Sequence, residues 1–216
     1  MVLCCFSDKP LSSHELQKGK YGAAFANVNH NSGKFDISLC QAPCREPCCV
    51  MGTMLCFCPV QIYMRHKALN HVDPGSGWSN YKCLQGYFGG CCCFQPGAMG
   101  EQLCPPCCMC AEALVCPGPA TSATSNVVRE AYQLGLDEDD VRLIRCSNCL
   151  FYCSCFLSCL APLTDCKADD MLARIVDTVS DVVFCCVSGC MTAQVHHEMK
   201  LRENSKGAPS FQRMER

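Results

Sequence analysis

The stretch LARIVDTVSDVVFCCVSGCMTAQVHHEMK, from Leu172 to Lys200, decides the fold because it carries the clearest periodicity in the chain. Its apolar side chains recur at alternating four- and three-residue steps, which places them along one side of an α-helix. This stripe consists of Leu172, Val176, Val179, Val183, Cys186 and Cys190. Asp177 and Asp181 lie off the stripe. We therefore expect one amphipathic helix, continuing to about Arg202, whose stripe is a buried seam.

Three shorter helices are predicted before this one. Residues 60–70 and 125–134 have the composition of helices, and Gly135 closes the second of them. The acidic run at residues 137–140 predicts a further helix start, because carboxylates cap free backbone N–H groups and complement the helix dipole. We expect that helix to run toward Pro162.

The remaining segments carry residues that interrupt regular structure. Glycines in residues 83–100 and prolines in residues 104–119 predict an irregular core of packed cysteines. The polar N-terminal segment predicts an extended arm with a short strand near residues 35–39. The fold class is therefore mainly α, an irregular cysteine-rich helical domain with an extended N-terminal arm. The predicted arm, helical domain and polar C-terminal tail cover residues 1–39, 40–203 and 204–216.

Cysteine dominates the composition, with 26 of the 216 residues. Such a share is far above that of ordinary globular proteins and implies cross-linking by disulfides or by a metal. The N-terminus MVLCCFSDKP has no basic leader and no long apolar run, so we expect no secretory signal and an intracellular protein. Thiols inside cells are kept reduced, and crowded reduced thiols favour metal binding over disulfides.

Zinc is the expected metal, because tetrahedral thiolate sites are a usual structural form of zinc binding. Two Cys-X-X-Cys pairs could supply four sulfurs: Cys104/Cys107 and Cys146/Cys149. Further pairs lie four residues apart, about 6 Å along a helix, and each could hold one ion. The predicted ligands are Cys104, Cys107, Cys146, Cys149, Cys153, Cys186 and Cys190. The alternative is that these cysteines are small buried hydrophobic residues.

Signals for catalysis are weak. Cys104-Pro-Pro-Cys107 resembles a thioredoxin-type dithiol, but such a dithiol follows a strand in a βαβ unit, and nothing before Cys104 predicts one. No phosphate-binding glycine loop is present in the sequence. His196 and His197 are expected to cap or solvate the end of the last helix. We therefore expect a protein that is not an enzyme.

The charge pattern limits the partners. The net charge is −2 and the Lys and Arg residues are scattered, so we expect no nucleic-acid partner. Three uncharged stretches approach the length of a membrane span, but their Cys, Gly and Ser content favours a packed core; they are residues 48–64, 83–100 and 146–164. Cys4 and Cys5 are candidates for palmitoylation and peripheral membrane contact; the alternative is that they are buried.

Three groups of residues, taken together, are similar to the motifs of a known family. The first is a double cysteine and, after six residues, a second cluster: Cys48-Cys49 and Cys56-Phe57-Cys58-Pro59. The second lies in the middle of the chain: Arg129, Tyr132 and Gly135-Leu136. The third follows the last cysteine clusters: Cys185-Cys186, Cys190, Gln194, Glu198 and Lys200.

These motifs, over about residues 44–202, resemble the placenta-specific-eight family, which includes cornifelin and the plant cell-number regulators. Val60 and Ala193 stand where the family usually has cysteine, and residues 137–180 look like an insertion. The resemblance implies an intracellular, often membrane-associated, non-enzymatic protein. Some members of the family are linked to metal handling or to organ-size control.

The sequence thus predicts a non-catalytic scaffold or interaction protein, cross-linked by zinc or by thiol packing. We expect protein partners in a larger assembly, in the cytoplasm, at the cytoskeleton or cilium, or at the inner face of a membrane. The alternatives are a structural component of a large assembly such as a cytoskeletal or axonemal lattice, a membrane-associated metal-handling protein, and a dithiol oxidoreductase.

Overall fold

The computed structural model describes residues 6–12, 14–15, 25–88, 96–98, 100–160 and 167–204, with only the helix itself described for parts of the last two helices. Within these ranges the protein is mainly helical, which confirms the predicted fold class. The α-helices are α1 Ala42–Arg45, α2 Pro47–Leu55, α3 Phe57–Val72, α4 Pro105–Val115, α5 Pro117–Tyr132, α6 Glu138–Leu160 and α7 Lys167–Asn204. Two 3-10 helices lie between α3 and α4, at Gly77–Asn80 and Cys83–Gly86.

Proline starts three of these helices, because the first position needs no N–H donor. These residues are Pro47, Pro105 and Pro117. Each proline also keeps the residue before it out of the helical region, so a single non-helical residue joins α1 to α2 and α4 to α5. The prediction of an irregular segment at residues 104–119 is therefore wrong. The prolines there begin helices and do not interrupt them.

Residues 188–199 of α7 lie at the centre of the fold, and three clusters of buried side chains meet on them. Val195 and Met199 pack with α3, α4 and α5; Met191 packs with α6 and the N-terminal segment; Ala193 packs with α1 and α2. This part of α7 is therefore packed against several helices and the N-terminal segment.

The prediction of a continuous buried seam along α7 is wrong for two of its members. Val179 and Cys186 are exposed, and Cys190 is half-buried. Burial begins near Gly189, where α2 packs closely against α7. If residue 189 had a Cβ atom, that atom would lie 3.1 Å from a methyl carbon of Val50. Periodicity identifies the apolar side of a helix, but it does not reveal how far along the helix the neighbouring elements extend.

The described part of the N-terminal segment differs from the predicted extended arm. Its apolar side chains are inserted between the helices: Leu11, Phe25, Val28, Phe35, Ile37 and Leu39 are buried. The strand expected near residues 35–39 is not formed. Instead, Gly33 forms an isolated parallel β-bridge with Leu134. Gly135 permits this approach, because a side chain there would overlap the carbonyl oxygen of Asn31.

Side-chain contacts show that α3 and α5 run in the same direction. The Arg65 Nε atom lies 2.9 Å from Thr124 Oγ1, and His71 Nε2 lies 2.7 Å from the Tyr132 hydroxyl. The second contact lies closer than the first to the C-terminal end of both helices. The starts of α3 and α5 therefore lie at the same end of the molecule.

We call this end, built by residues 55–57 and 115–117, the junction end. α7 runs the opposite way, since the Arg202 guanidinium lies 4.3 Å from the Tyr132 ring centroid and the rings of Phe57 and Phe184 are 6.2 Å apart. The first half of α7, residues 167–183, therefore extends past the junction end by about 25 Å, at 1.5 Å per residue.

Candidate functional site at the junction end

Large apolar side chains are exposed where the helices turn at the junction end. Leu55 is 76 % exposed and Val115 is 78 % exposed, and each directly precedes a cysteine that joins two helices. Further exposed apolar residues on α2 and α4 are Met51, Met54 and Leu114. A single exposed leucine is ordinary, but a group of large apolar side chains is typical of a binding surface.

The two segments that contain the junction end carry no charged residue. They are residues 47–64 and residues 113–128. A surface without charges loses little solvation free energy when it is covered, so burial of its apolar side chains is nearly unopposed. The junction end therefore has the chemical character of the core of a protein interface.

The first half of α7 extends the apolar surface beyond the junction end. Its exposed apolar residues recur at steps of four, four and three, which places them on one side of the helix: Met171, Ile175, Val179 and Val182. Arg174 and Asp181 are exposed beside them. This part of α7 is amphipathic, with its apolar side accessible.

A buried ion pair holds α3 and α4 together behind this surface. Arg65 and Glu112 lie 2.9 Å apart, and their side chains are almost wholly buried. Glu112 also accepts hydrogen bonds from the Tyr81 hydroxyl at 3.0 Å and from the Leu84 N–H at 2.8 Å. Burial, and then the charge of Glu112, raises the pKa of Tyr81, which keeps its hydroxyl a donor.

A second buried ion pair fixes the start of α6. Arg129 lies 2.7 Å from Asp140, and its guanidinium lies 4.5 Å from the centroid of the Phe35 ring. Asp137 accepts a hydrogen bond from the Asp140 N–H at 2.8 Å, which confirms the predicted acidic helix start. Burial, and then the neighbouring Asp140, raises the pKa of Asp137 to about 6.

Thiols lie on and below the junction end. Cys56 is exposed and Cys116 half-buried at the two turns, while Cys58 on α3 and Cys110 on α4 are half-buried neighbours. Burial, and then Cys110, raises the pKa of Cys58. A thiol with a raised pKa is protonated and unreactive at neutral pH, so the Cys58 side chain first of all contributes apolar surface.

The predicted zinc ligands on α4 are joined to each other. Cys104 and Cys107 form a disulfide, with Cα atoms 5.4 Å apart. The expectation of reduced thiols is therefore corrected at this pair. Cys104 directly precedes the first turn of α4 and Cys107 lies in that turn, which brings their side chains together. A disulfide offers no thiolate to a metal.

The other predicted ligands lie on α6 and α7. Cys149 and Cys153 are exposed and one helical turn apart, whereas Cys146 is buried. Burial, and then Cys153, raises the pKa of Cys149. Burial, and then Cys186, raises the pKa of Cys190 to about 11. Cys146 and Cys149 are not brought together with the α4 pair. Among the side chains that the structure describes, no group of three or more His, Cys, Asp or Glu residues could hold a metal ion.

The zinc site stays a prediction, and metal analysis of the purified protein would test it. The proposed palmitoylation sites Cys4 and Cys5 lie outside the described residues. His196 and His197 were expected to cap or solvate the end of the last helix. They instead face Glu46, with His197 Nδ1 3.1 Å from a Glu46 carboxylate oxygen. Burial lowers the pKa of His196, so its ring tends to be neutral.

Sequence reasoning missed both the buried ion pairs and the exposed junction residues. A signal for the first ion pair exists: Arg65 ends an uncharged run, and Glu112 is the one charged residue between Glu101 and Arg129. An isolated charge in an apolar segment must be paired when the segment is buried. Leu55 and Val115 carry no comparable signal, because periodicity does not separate a buried side chain from one at an exposed helix end.

Among the described residues, no helix combines the length and the apolar character that crossing a membrane requires.

Three residues that carry the family resemblance have structural roles. Arg129 pairs with Asp140, the Gln194 amide donates to the backbone carbonyl of Ile37 at 2.9 Å, and Glu198 accepts from a backbone N–H at 3.1 Å. Comparisons with protein-family models, curated proteins and solved structures find no match to this chain. The resemblance therefore stays a prediction.

Proposed function

We propose that this chain is a non-catalytic interaction protein that binds a protein partner through its junction end. The observation that carries the proposal is the group of exposed apolar side chains around Leu55 and Val115, on segments without charged residues. Covering such side chains stabilises a complex by about 25 cal/mol for each Å² of apolar surface removed from water.

The use of the buried charged residues supports a non-catalytic role. Arg65 pairs with Glu112 and Arg129 pairs with Asp140, and both pairs join helices inside the fold. Catalytic groups must be accessible to a substrate, usually in a cleft, and their pKa values suit the proton transfer that they perform. These four side chains are instead committed to contacts within the chain.

A protein partner fits the junction end better than a lipid surface. Helices that lie on membranes combine an apolar side with Lys and Arg residues that attract anionic headgroups. Residues 47–64 and 113–128 supply no such charge. An apolar helix or groove of another protein would match this surface, because interface cores are depleted of charged residues.

The proposal is tested by placing charge on the junction end. In the double variant Leu55→Asp, Val115→Asp, both new carboxylates stay in water in the free protein but become buried in a complex, which is unfavourable. The matched control is Leu201→Asp, since Leu201 is 41 % exposed near the far end of α7. Tagged proteins expressed in cells are purified with their partners, and the partners are quantified by mass spectrometry.

We expect the double variant to retain less than about a tenth of the partner captured by the wild type, which corresponds to a loss of about 1.4 kcal/mol or more in binding free energy. Leu201→Asp should retain most of it. Equal capture by all three proteins would contradict the proposal. So would flotation of the wild type, but not of the double variant, with protein-free phosphatidylcholine vesicles, because the junction end would then bind lipid.

A further inference from the structure

Helix α4 carries a row of sulfur atoms that begins with its disulfide. Cys104 and Cys107 are closed into this disulfide at the start of the helix, and both are exposed. Cys110 follows Cys107 by three residues on the same helix. Residues three apart lie on the same side of a helix, with Cβ atoms about 5–6 Å apart. The Cys110 thiol is therefore the next sulfur along the helix from the disulfide.

The row continues across to α3. Cys58 is the neighbour of Cys110 across the two helices, since, besides burial, the charge of Cys110 helps to raise the pKa of Cys58, although 51 residues separate them in the sequence. The two helices are held in this position by the buried ion pair between Arg65 and Glu112, at 2.9 Å. A disulfide and two neighbouring thiols are thus arranged along the first two turns of α4.

We propose that Cys58 and Cys110 receive the disulfide of Cys104 and Cys107 by intramolecular thiol–disulfide exchange. In the first step the Cys110 thiolate attacks the Cys107 sulfur, the bond between Cys104 and Cys107 breaks, and Cys104 leaves as a thiolate. In the second step the Cys58 thiolate attacks the Cys110 sulfur and releases Cys107 as a thiolate.

The exchange is balanced without an external oxidant. One disulfide is broken and one is formed, and the two protons lost from Cys58 and Cys110 are taken up by Cys104 and Cys107. The products are a covalent link between α3 and α4 beneath the junction end and an exposed dithiol at the start of α4. The start of a helix stabilises thiolates, so Cys104 and Cys107 are suitable leaving groups.

The local chemistry makes the exchange dependent on pH. Only a thiolate attacks a disulfide, and burial raises the pKa of Cys58 above its usual value. The second step is therefore slow at neutral pH and faster in alkaline solution. This proposal does not depend on the proposed binding function, because it concerns reactions within the isolated chain.

Peptide mapping of the full-length chain tests the exchange. The starting material is protein in which the map shows Cys104–Cys107 closed and the Cys58 and Cys110 thiols free. It is incubated without oxygen, oxidant or added thiol at pH 7 and pH 9, quenched with acid, and alkylated before digestion. We expect Cys58–Cys110 to appear as Cys104–Cys107 disappears, about tenfold or more faster at pH 9, with the total thiol content unchanged.

Three variants separate the steps. Cys110→Ser should block the exchange, whereas Cys58→Ser should accumulate the intermediate disulfide between Cys107 and Cys110. The matched control is Cys108→Ser on the same helix, which should exchange as the wild type does. The proposal is overturned if the disulfide stays at Cys104 and Cys107 at pH 9, if it moves to other cysteines, or if Cys110→Ser exchanges at the wild-type rate.

Discussion

Two arginines, each without solvent-exposed surface, organise the helices at the scale of single residues. Arg65 connects α3 to α4 and α5, and Arg129 connects α5 to the start of α6. A buried ion pair contributes little compared with apolar residues of the same size, but removal of one partner leaves an uncompensated charge in the interior. The fold therefore depends on both members of each pair.

Replacement of Glu112 by Gln tests this dependence. Arg65 would lose its counter-ion, and we expect the free energy of unfolding to fall by about 3 kcal/mol or more in urea denaturation. The control is Glu203→Gln, which removes an exposed carboxylate 3.7 Å from Lys67 and should cost less than about 1 kcal/mol. Similar losses in the two variants would show that the buried pair has no special role.

Asp137 predicts a dependence of stability on pH. Its pKa is raised from 3.8 to about 6 in the folded protein, so folding takes up a proton between these values. Its contribution to stability is present below the lower pKa and is lost as pH rises through the higher one. Relative to Asp137→Asn, the wild type should lose about 2 kcal/mol between pH 4 and pH 7.

This loss is measured as the difference between the two proteins in urea unfolding at each pH, because carboxylates distant from Asp137 titrate equally in both. An unchanged difference from pH 4 to pH 7 would mean that the Asp137 carboxyl is not perturbed by its burial.

At the scale of elements, the contact between α2 and α7 depends on the absence of a side chain. A Cβ at Gly189 would lie 3.1 Å from a Val50 methyl carbon and 3.3 Å from the Val50 carbonyl oxygen. The latter is a backbone atom in the middle of α2, so it cannot move without the helix. The position of α2 is therefore set by this glycine.

A pair of alanine substitutions isolates this contact. Gly189→Ala should lower the free energy of unfolding by about 1–3 kcal/mol, because overpacking outweighs the better helix propensity of alanine. Gly52→Ala on α2 meets no atom closer than 3.9 Å and should raise it by up to about 1 kcal/mol. Thermal unfolding of both variants measures the effects. Stabilisation by both substitutions would mean that α2 does not pack closely on α7.

The elements were predictable to the extent that local signals determine them. The acidic residues at the start of α6 and the long pattern of α7 predicted both helices, since caps and periodicity act within a few residues. The prolines at residues 105 and 117 misled the prediction, because the same residue that interrupts a helix also begins one. The contact of Arg65 with Glu112 was not predictable, because it depends on how separate helices pack.

At the scale of the whole molecule, α3, α5 and α7 determine which surface is left open. α3 and α5 begin at the junction end, and α7 continues past it with its apolar side exposed. The opposite end of α7 is surrounded by the three buried clusters. The fold thus has one part whose apolar side chains are buried within the chain and another part whose apolar side chains are exposed to a partner.

The most direct measurement is photo-crosslinking from defined positions on the chain. A photoreactive amino acid is placed at residue 55, residue 115 or, as the control at the far end, residue 201, and cells are irradiated. The account predicts covalent adducts with the same protein from residues 55 and 115, and no such adduct from residue 201. Adducts of equal yield from all three positions, or from residue 201 alone, would contradict the claim that the junction end binds a protein.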